Sequence, residues 1–275
     1  MHAHADFTAA IPHSPSVVAF VQRDRTRALV RTAFPRRRAR VIVARTPLAF
    51  EAAFRDALVD AALVDVVAPP ATQSEEGWRA AALAREFPSV PFFALLPLRT
   101  SDAPALAQCA ALDFSDALVD GVDDVAMRDL VARESFTARF ARSLREPPDV
   151  LALNSPLQRI AWRLVVSEGG RPVRTEAVAR TLRVTREHLS RSFAARGGPN
   201  LKRVIDLVRL IAAAELAKNP GYDLRDVARV LRFASSSHLS MTAQRIVGTK
   251  PASLSRLRTA DLIGRFMRGH ERSRA

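Results

Sequence analysis

The chain has 275 residues, enough for about two domains, and its 48% hydrophobic and 25% charged residues exclude a mostly disordered chain. Lys and Arg outnumber Asp and Glu by 42 to 28, and the excess is segregated: residues 1–150 hold 18 basic and 19 acidic side chains, whereas residues 151–275 hold 24 and 9. No apolar run approaches the roughly 18 residues of a membrane span. The single cysteine, Cys109, excludes an internal disulfide and a Cys-cluster zinc site.

Residues 1–15 read as a mobile lead. The opening MHAHADFTAAIPHSP has no basic segment followed by an apolar one, so no secretory signal is expected and the expected location is the cytoplasm. From Ser16 onward, short apolar runs at Val17–Val21, Ala39–Ala44, Ala61–Val67, Val90–Leu96 and Asp116–Val119 alternate with amphipathic stretches. The stretches predict helices at about 24–34, 48–58, 76–86, 102–111 and 123–145. Continuous apolar runs are the mark of parallel strands covered by helices on both faces. Their alternation with helices predicts a doubly wound α/β domain over 16–146. The long helix 123–145 offers Leu130, Phe136, Phe140 and Leu144 as apolar surface, either for a dimer or for packing on its own sheet. Pro147 and Pro148 open a linker over 147–153.

Beyond the linker the strand pattern stops. Leu, Ala, Val and Arg recur at helical spacing, broken by Gly169–Gly170, Gly197–Gly198–Pro199, Asn219–Pro220–Gly221 and Gly248. About seven helices are expected in an all-α domain over 154–257, followed by a basic tail at 258–275. The first helix opens at Asn154-Ser155-Pro156, an N-cap followed by proline in the first turn. Two helix–turn–helix patterns stand about 50 residues apart. In TEAVARTLRVTREHLSRSF (Thr175–Phe193), Ala177, Val178 and Leu182 are expected to face inward. A turn at Arg183–Val184 and an N-cap at Thr185 follow. The next helix buries Leu189 and Phe193 and exposes Arg186, Glu187, Ser190 and Arg191. In LRDVARVLRFASSSHLSMTAQRIVG (Leu224–Gly248), Val227, Ala228 and Leu231 face inward, Phe233 plugs the turn and Ser235 caps. Ser236, Ser237, Ser240, Met241 and Gln244 then face outward. A helix–turn–helix unit puts the start of its second helix against base edges in the major groove, where small polar residues and arginine suit the contact. The plain alternative for the arginines is a solvated helix face.

These residues resemble the DNA-binding domain of the AraC/XylS family of transcription regulators over about Pro156–Arg256. The resemblance runs through the first helix, Leu157–Ser167, the L-S-R-x-F of Leu189–Phe193, Gly198, Arg209–Ala213, Asp226-Val227-Ala228, Phe233-Ala-Ser235 and Gly248-Thr-Lys-Pro251. Arg232 stands where the family has glycine, Leu239 and Ala243 replace two phenylalanines, and Met241 stands where a polar or basic contact is common. The resemblance implies base contacts from Arg186, Glu187, Ser190 and Arg191 in the first unit and from Ser236, Ser237, Ser240 and Met241 in the second. Arg245 and Lys250 would meet phosphates. The implied partners are double-stranded DNA, a second copy of the chain and RNA polymerase, with no membrane.

The run Asp60–Pro69 resembles the third strand of a response-regulator receiver domain, with Asp65 at the phosphoacceptor position. The family's acidic pair falls on Gln22 and Arg23, its hydroxyl on Leu96 and its lysine near Asp120. With only Asp65 retained and Asp24 a weak substitute, a pseudo-receiver is expected, in which Arg23 pairs with Asp65 and no phosphotransfer occurs. The rivals are a phosphorylated two-component regulator using Asp65 and a regulator sensing a small ligand at the strand ends. The sequence has no G-x-G-x-x-G, P-loop, G-x-S-x-G or H-E-x-x-H. No enzyme, cofactor or metal is therefore expected. His188 and His238 occupy matching places in the two second helices, and Cys109 reads as a packed small hydrophobe.

Overall fold

The computed structural model describes residues 14–66, 71–119, 124–195 and 198–272. The lead at 1–13, Pro69, Asp120 and Gly197 lie outside the described residues. The chain divides into two compact units, Ser14–Arg139 with Lys218–Val230, and Phe140–Ala217 with Leu231 onward.

The first unit is built on five parallel strands: β1 Ser16–Phe20, β2 Arg40–Ala44, β3 Ala61–Asp65, β4 Phe92–Leu96 and β5 Asp116–Val119. Their order in the sheet is β2-β1-β3-β4-β5, the doubly wound arrangement of receiver-like folds. Helices α1 Asp24–Ala33, α2 Pro47–Asp56, α3 Ala71–Ala82, α4 Ala103–Ala111 and α5 Asp124–Glu134 alternate with the strands. β1, β3 and β4 are buried along their whole length, as expected of inner strands that helices cover on both faces. One face packs Val17, Ala19, Leu63, Phe93 and Leu95 against Val30 and Ala33 of α1 and Met127 and Val131 of α5. Another part of the core is aromatic: Phe20, Phe50, Phe54, Phe87 and Phe92 pair edge-on or stacked, with ring centroids 4.4–6.3 Å apart. Each such pair contributes about 0.5–1.5 kcal/mol beyond its buried area. Thr46 caps α2 by accepting from the Ala49 amide, with Pro47 in the first turn.

The single long helix expected at 123–145 is instead two, α5 and α6 Phe136–Ser143. Ser135 ends the first and starts the second. Its Oγ accepts from the Ala138 amide, and the Phe136 and Thr137 amides donate to the backbone oxygen and carboxylate of Asp60. Capping by Ser135 together with the distant Asp60 therefore overrides helix continuity. Phe136, Phe140 and Leu144 are buried rather than exposed, and Leu130 packs on the sheet core.

The segment Lys218–Val230 belongs to this α/β unit, and it holds α11 Leu224–Val230. Tyr222 donates its hydroxyl to the Phe54 carbonyl at 3.1 Å and packs edge-on against Phe87. Burial pushes its phenol well above the ordinary tyrosine range, with Asp226 adding to the shift. Asn219 accepts from the Ser89 amide and donates to its hydroxyl, and the Gly221 amide donates to the Glu86 carbonyl. A Cβ on Gly221 would come within 2.6 Å of the Phe87 ring, so glycine permits this close approach.

The second unit is helical. α7 Pro156–Ser167 opens with a capping box between Ser155 and Gln158. α8 Thr175–Thr181, α9 Arg186–Ala194, α10 Leu201–Leu216, α12 Ser236–Val247 and α13 Thr259–Arg272 follow. α10 is buried nearly all round, including Arg209, as befits a central helix. Trp162 is fully buried and donates from Nε1 to the Leu144 carbonyl at 2.8 Å. Residues 259–272, expected as a tail, form a helix because Leu262, Ile263 and Phe266 share a face that is buried. Among the described residues, no helix is long and apolar enough to cross a membrane.

Candidate nucleic-acid interface

In the first helix–turn–helix pattern, α8 buries Val178 and Ala179, whereas Ala177 is exposed and Leu182 only half-buried. The inward stripe is thus shifted by one residue from the expected Ala177 and Val178. Arg183 turns the chain with a φ of 55°, a left-handed conformation costing a non-glycine residue about 1–2 kcal/mol. Thr185 then caps α9 by accepting from the His188 amide at 3.1 Å. Leu189 and Phe193 are fully buried, which turns Arg186, Glu187, Ser190 and Arg191 outward, all four exposed. Arg186 forms an ion pair with Glu176 of α8 at 3.2 Å, both side chains largely in solvent. Among the described residues, the Arg191 guanidinium has no partner. Glu187 lies in the first turn, where the helix dipole favours an acidic side chain.

The second turn repeats the device. Arg232 has a φ of 53°, matching Arg183, and Ser235 caps α12 by accepting from the His238 amide at 3.0 Å. Here α10 supports the turn. Arg209 donates to the carbonyls of Leu231 at 3.0 Å and of Gly170 and Arg232 at 3.4 Å. Its guanidinium also lies 3.9 Å over the Phe233 ring. Burial lowers its pKa, and the nearby Asp206 opposes that shift. Ser237, Met241, Gln244 and Lys250 are exposed; Ser236 and Ser240 are half-buried. Ser240 donates to the Ser236 carbonyl at 2.8 Å, which engages its proton within the helix. Met241 is 64% exposed, an unusual position for an apolar side chain. Arg245, assigned to phosphate, is held by Asp206 at 2.9 Å. Burial raises the Asp206 carboxyl above its ordinary value, and Arg245, Arg209 and Lys202 oppose this.

The turn expected at Arg183–Val184 is made by Arg183, and Arg232, at the family's glycine position, repeats its left-handed backbone; Arg209 had no expected role beyond its place in the connecting helix. A buried arginine reads in sequence like any exposed one, and only the carbonyls around Arg209 reveal its role.

In the α/β unit, β1 and β3 are neighbours whose connections leave in opposite directions, so a crevice opens at their carboxyl ends. Asp65 lies there, 5% exposed. Arg23 donates from Nε to both carboxylate oxygens, at 3.1 and 3.0 Å, and its amide lies 3.4 Å from Oδ2. Gln22 donates to Glu76, and the exposed Asp24 is paired with Arg27 at 2.6 Å. α3 comes so close that a Cβ on Gly77 would lie 3.0 Å from the Asp65 carbonyl oxygen. A receiver's divalent cation needs several oxygen ligands converging on the phosphoacceptor. Here a guanidinium faces that carboxylate and Asp24 is engaged elsewhere, so the residues do not fit the ion. Among the described residues, no group of three or more His, Cys, Asp or Glu could hold a metal. The Cys109 thiol is pushed up to about 11 by burial, which keeps it protonated and unreactive near neutrality.

Residues 178–256 match the helix-turn-helix domain family. No curated protein matches the chain. Among solved structures, full-length FixJ from B. japonicum is similar over 83% of this chain and 97% of that one, at 13% identity and a TM-score of 0.37. The chain thus carries a helix-turn-helix domain, the mark of DNA-binding transcription regulators, alongside a receiver-like parallel α/β unit.

Proposed function

We propose that the chain is a sequence-specific DNA-binding transcription regulator of AraC/XylS type, acting in the cytoplasm as a homodimer and without enzymatic activity. In this reading α9 and α12 enter successive major-groove segments about one turn apart. Arginine–phosphate contacts supply most of the affinity and base contacts from α9 most of the specificity. RNA polymerase is a further partner of the reading. The helix-turn-helix match over 178–256 carries it, supported by the exposed polar side chains on the first two turns of α9, Arg186, Glu187, Ser190 and Arg191 among them. The test is the salt dependence of duplex binding by the full chain. The log–log slope should be steep, about 0.9 in magnitude per phosphate neutralised, and a flat response overturns the assignment.

The α/β unit acts as a pseudo-receiver that serves dimerisation or receives a non-phosphate input. Support comes from the Arg23–Asp65 pair, which occupies the position a phosphoryl group and its cation would need. Asp65→Asn should leave regulation in the cell unchanged, and Mg²⁺ with a small phosphodonor should not label the native chain. Labelling, together with loss of regulation in Asp65→Asn, would establish the phosphorylated regulator instead. A thermal shift of the full chain with metabolites, abolished by substitutions at the β1–β3 crevice, would establish the ligand sensor.

A further inference from the structure

The charge of the α/β unit is not evenly spread. Residues 24–45 hold eight arginines and one aspartate, while the rest of residues 1–150 holds ten basic and eighteen acidic side chains. Five of these arginines converge by topology. Arg31 ends α1, Arg36, Arg37 and Arg38 form the turn after it, and Arg40 begins the edge strand β2. α1 runs antiparallel to the strands, so all five lie at the amino edge of the sheet, opposite the Asp65 crevice. All five are exposed. Among the described residues, none of their guanidinium groups has a hydrogen-bond or ion-pair partner. The turn is rigidly built: the Arg38 and Ala39 amides donate to the Pro35 carbonyl, and Phe34 and Ala39 are buried beneath it.

Five unpaired like charges in ten residues repel one another, a cost that a polyanion would relieve. Guanidinium groups match phosphate in a two-pronged geometry and give up hydration readily. The corner has no exposed aromatic or large aliphatic side chain between 31 and 40 to enter a bilayer, so an anionic membrane would find charge without an anchor. We propose that this α1–β2 corner is a second, sequence-independent contact surface for the phosphate backbone of duplex DNA. It lies outside the helix-turn-helix match and extends the footprint of the chain. The proposal rests on the DNA-binding reading above.

The test compares the full native chain with the full chain carrying Arg36→Gln, Arg37→Gln and Arg38→Gln. A 60-bp duplex of randomised sequence is titrated at several salt concentrations. The triple variant should bind at least tenfold more weakly at low salt, and its log–log slope should be smaller in magnitude by about 2 to 3, near 0.9 per lost phosphate contact. Removing the same charge at Arg79, Arg85 and Arg133 should change the slope far less, which separates local contact from net charge. All three corner side chains are solvent-exposed, so the thermal midpoint should be equal to the native one or slightly above it as repulsion is relieved, and a lowered midpoint would contradict their free exposure. A native chain that binds DNA, with a triple variant of equal slope, overturns the corner alone. A triple variant that loses binding only to phosphatidylserine vesicles overturns it in favour of a lipid surface. A native chain that binds no duplex overturns the DNA-binding reading itself, and the corner proposal with it.

Discussion

The two helix–turn–helix patterns share a design and differ in how it is supported. Both turn on an arginine held at positive φ, Arg183 and Arg232, and both start the second helix from a hydroxyl cap, Thr185 and Ser235. In the first, α8 and α9 lie in the same compact unit, and Phe193 anchors α9 in its core. In the second, α11 belongs to the α/β unit through Tyr222 and Asn219, the turn hangs on Arg209, and Ala243 stands where Phe193 stands in the first. The outward faces diverge as well: among the described residues Arg191 has no partner, while the matching Met241 offers sulfur and methyl groups. One motif has thus been fitted to two different supports. The first keeps both of its helices in one compact unit, and the second has its first helix counted with the α/β unit.

The largest expected effect tests the unequal anchors. Phe193→Ala should cost about 3–5 kcal/mol, the range for emptying a packed aromatic site, read by chemical denaturation. Ala243→Phe should cost only about 1–3 kcal/mol by overpacking. Unchanged stability in Phe193→Ala would show that the ring does not anchor α9.

Next comes the turn support. Arg209→Met keeps the stem volume but leaves the Leu231, Gly170 and Arg232 carbonyls without their charged donor. A loss of about 2–3 kcal/mol is expected, with amide exchange quickening around 231–238. Unchanged stability would mean that the guanidinium does not hold the second turn.

The division of base readout is then open to a competition binding assay on a mapped operator. Arg191→Ala should cost about 1–3 kcal/mol of specific affinity, and Met241→Ala less than about 1 kcal/mol, because methionine loses no paired donor. A larger effect at Met241 would make the second unit the principal reader.

A smaller effect probes α11. Tyr222→Phe removes the hydrogen bond to the Phe54 carbonyl and should cost about 1 kcal/mol, seen as faster amide exchange over 224–230. Exchange unchanged there would leave packing on Phe87, not the hydroxyl, as the tie. Smallest is the relief of backbone strain. Arg183→Gly and Arg232→Gly should each stabilise by up to about 1 kcal/mol. Arg232→Gly should lose no Arg209 contact, since that contact is to its carbonyl. Destabilisation by either change would show that the arginine side chain outweighs the left-handed backbone.

Much of this was legible in the chain itself. Apolar runs of four to seven residues determined the strands, most plainly the inner β1, β3 and β4, because a parallel strand covered on both faces leaves no room for alternation. Ser155-Pro156, Thr185 and Ser235 determined helix starts, because a hydroxyl beside free amides acts within one turn. Leu189 and Phe193, one turn apart, determined which side of α9 faces outward, and the charge segregation marked the basic half. Tertiary structure alone decided the rest. Helix 123–145 is cut at Ser135 by Asp60, a residue 75 positions earlier. The 259–272 segment is helical because its apolar face has a core to cover. Arg209 became a clamp, and α11 joined the α/β unit, against α2, rather than the helical unit. In each case the partner is distant in sequence. Local propensity and periodicity act over a few residues, whereas a buried hydrogen bond or packed ring is fixed by whichever group the fold brings to it.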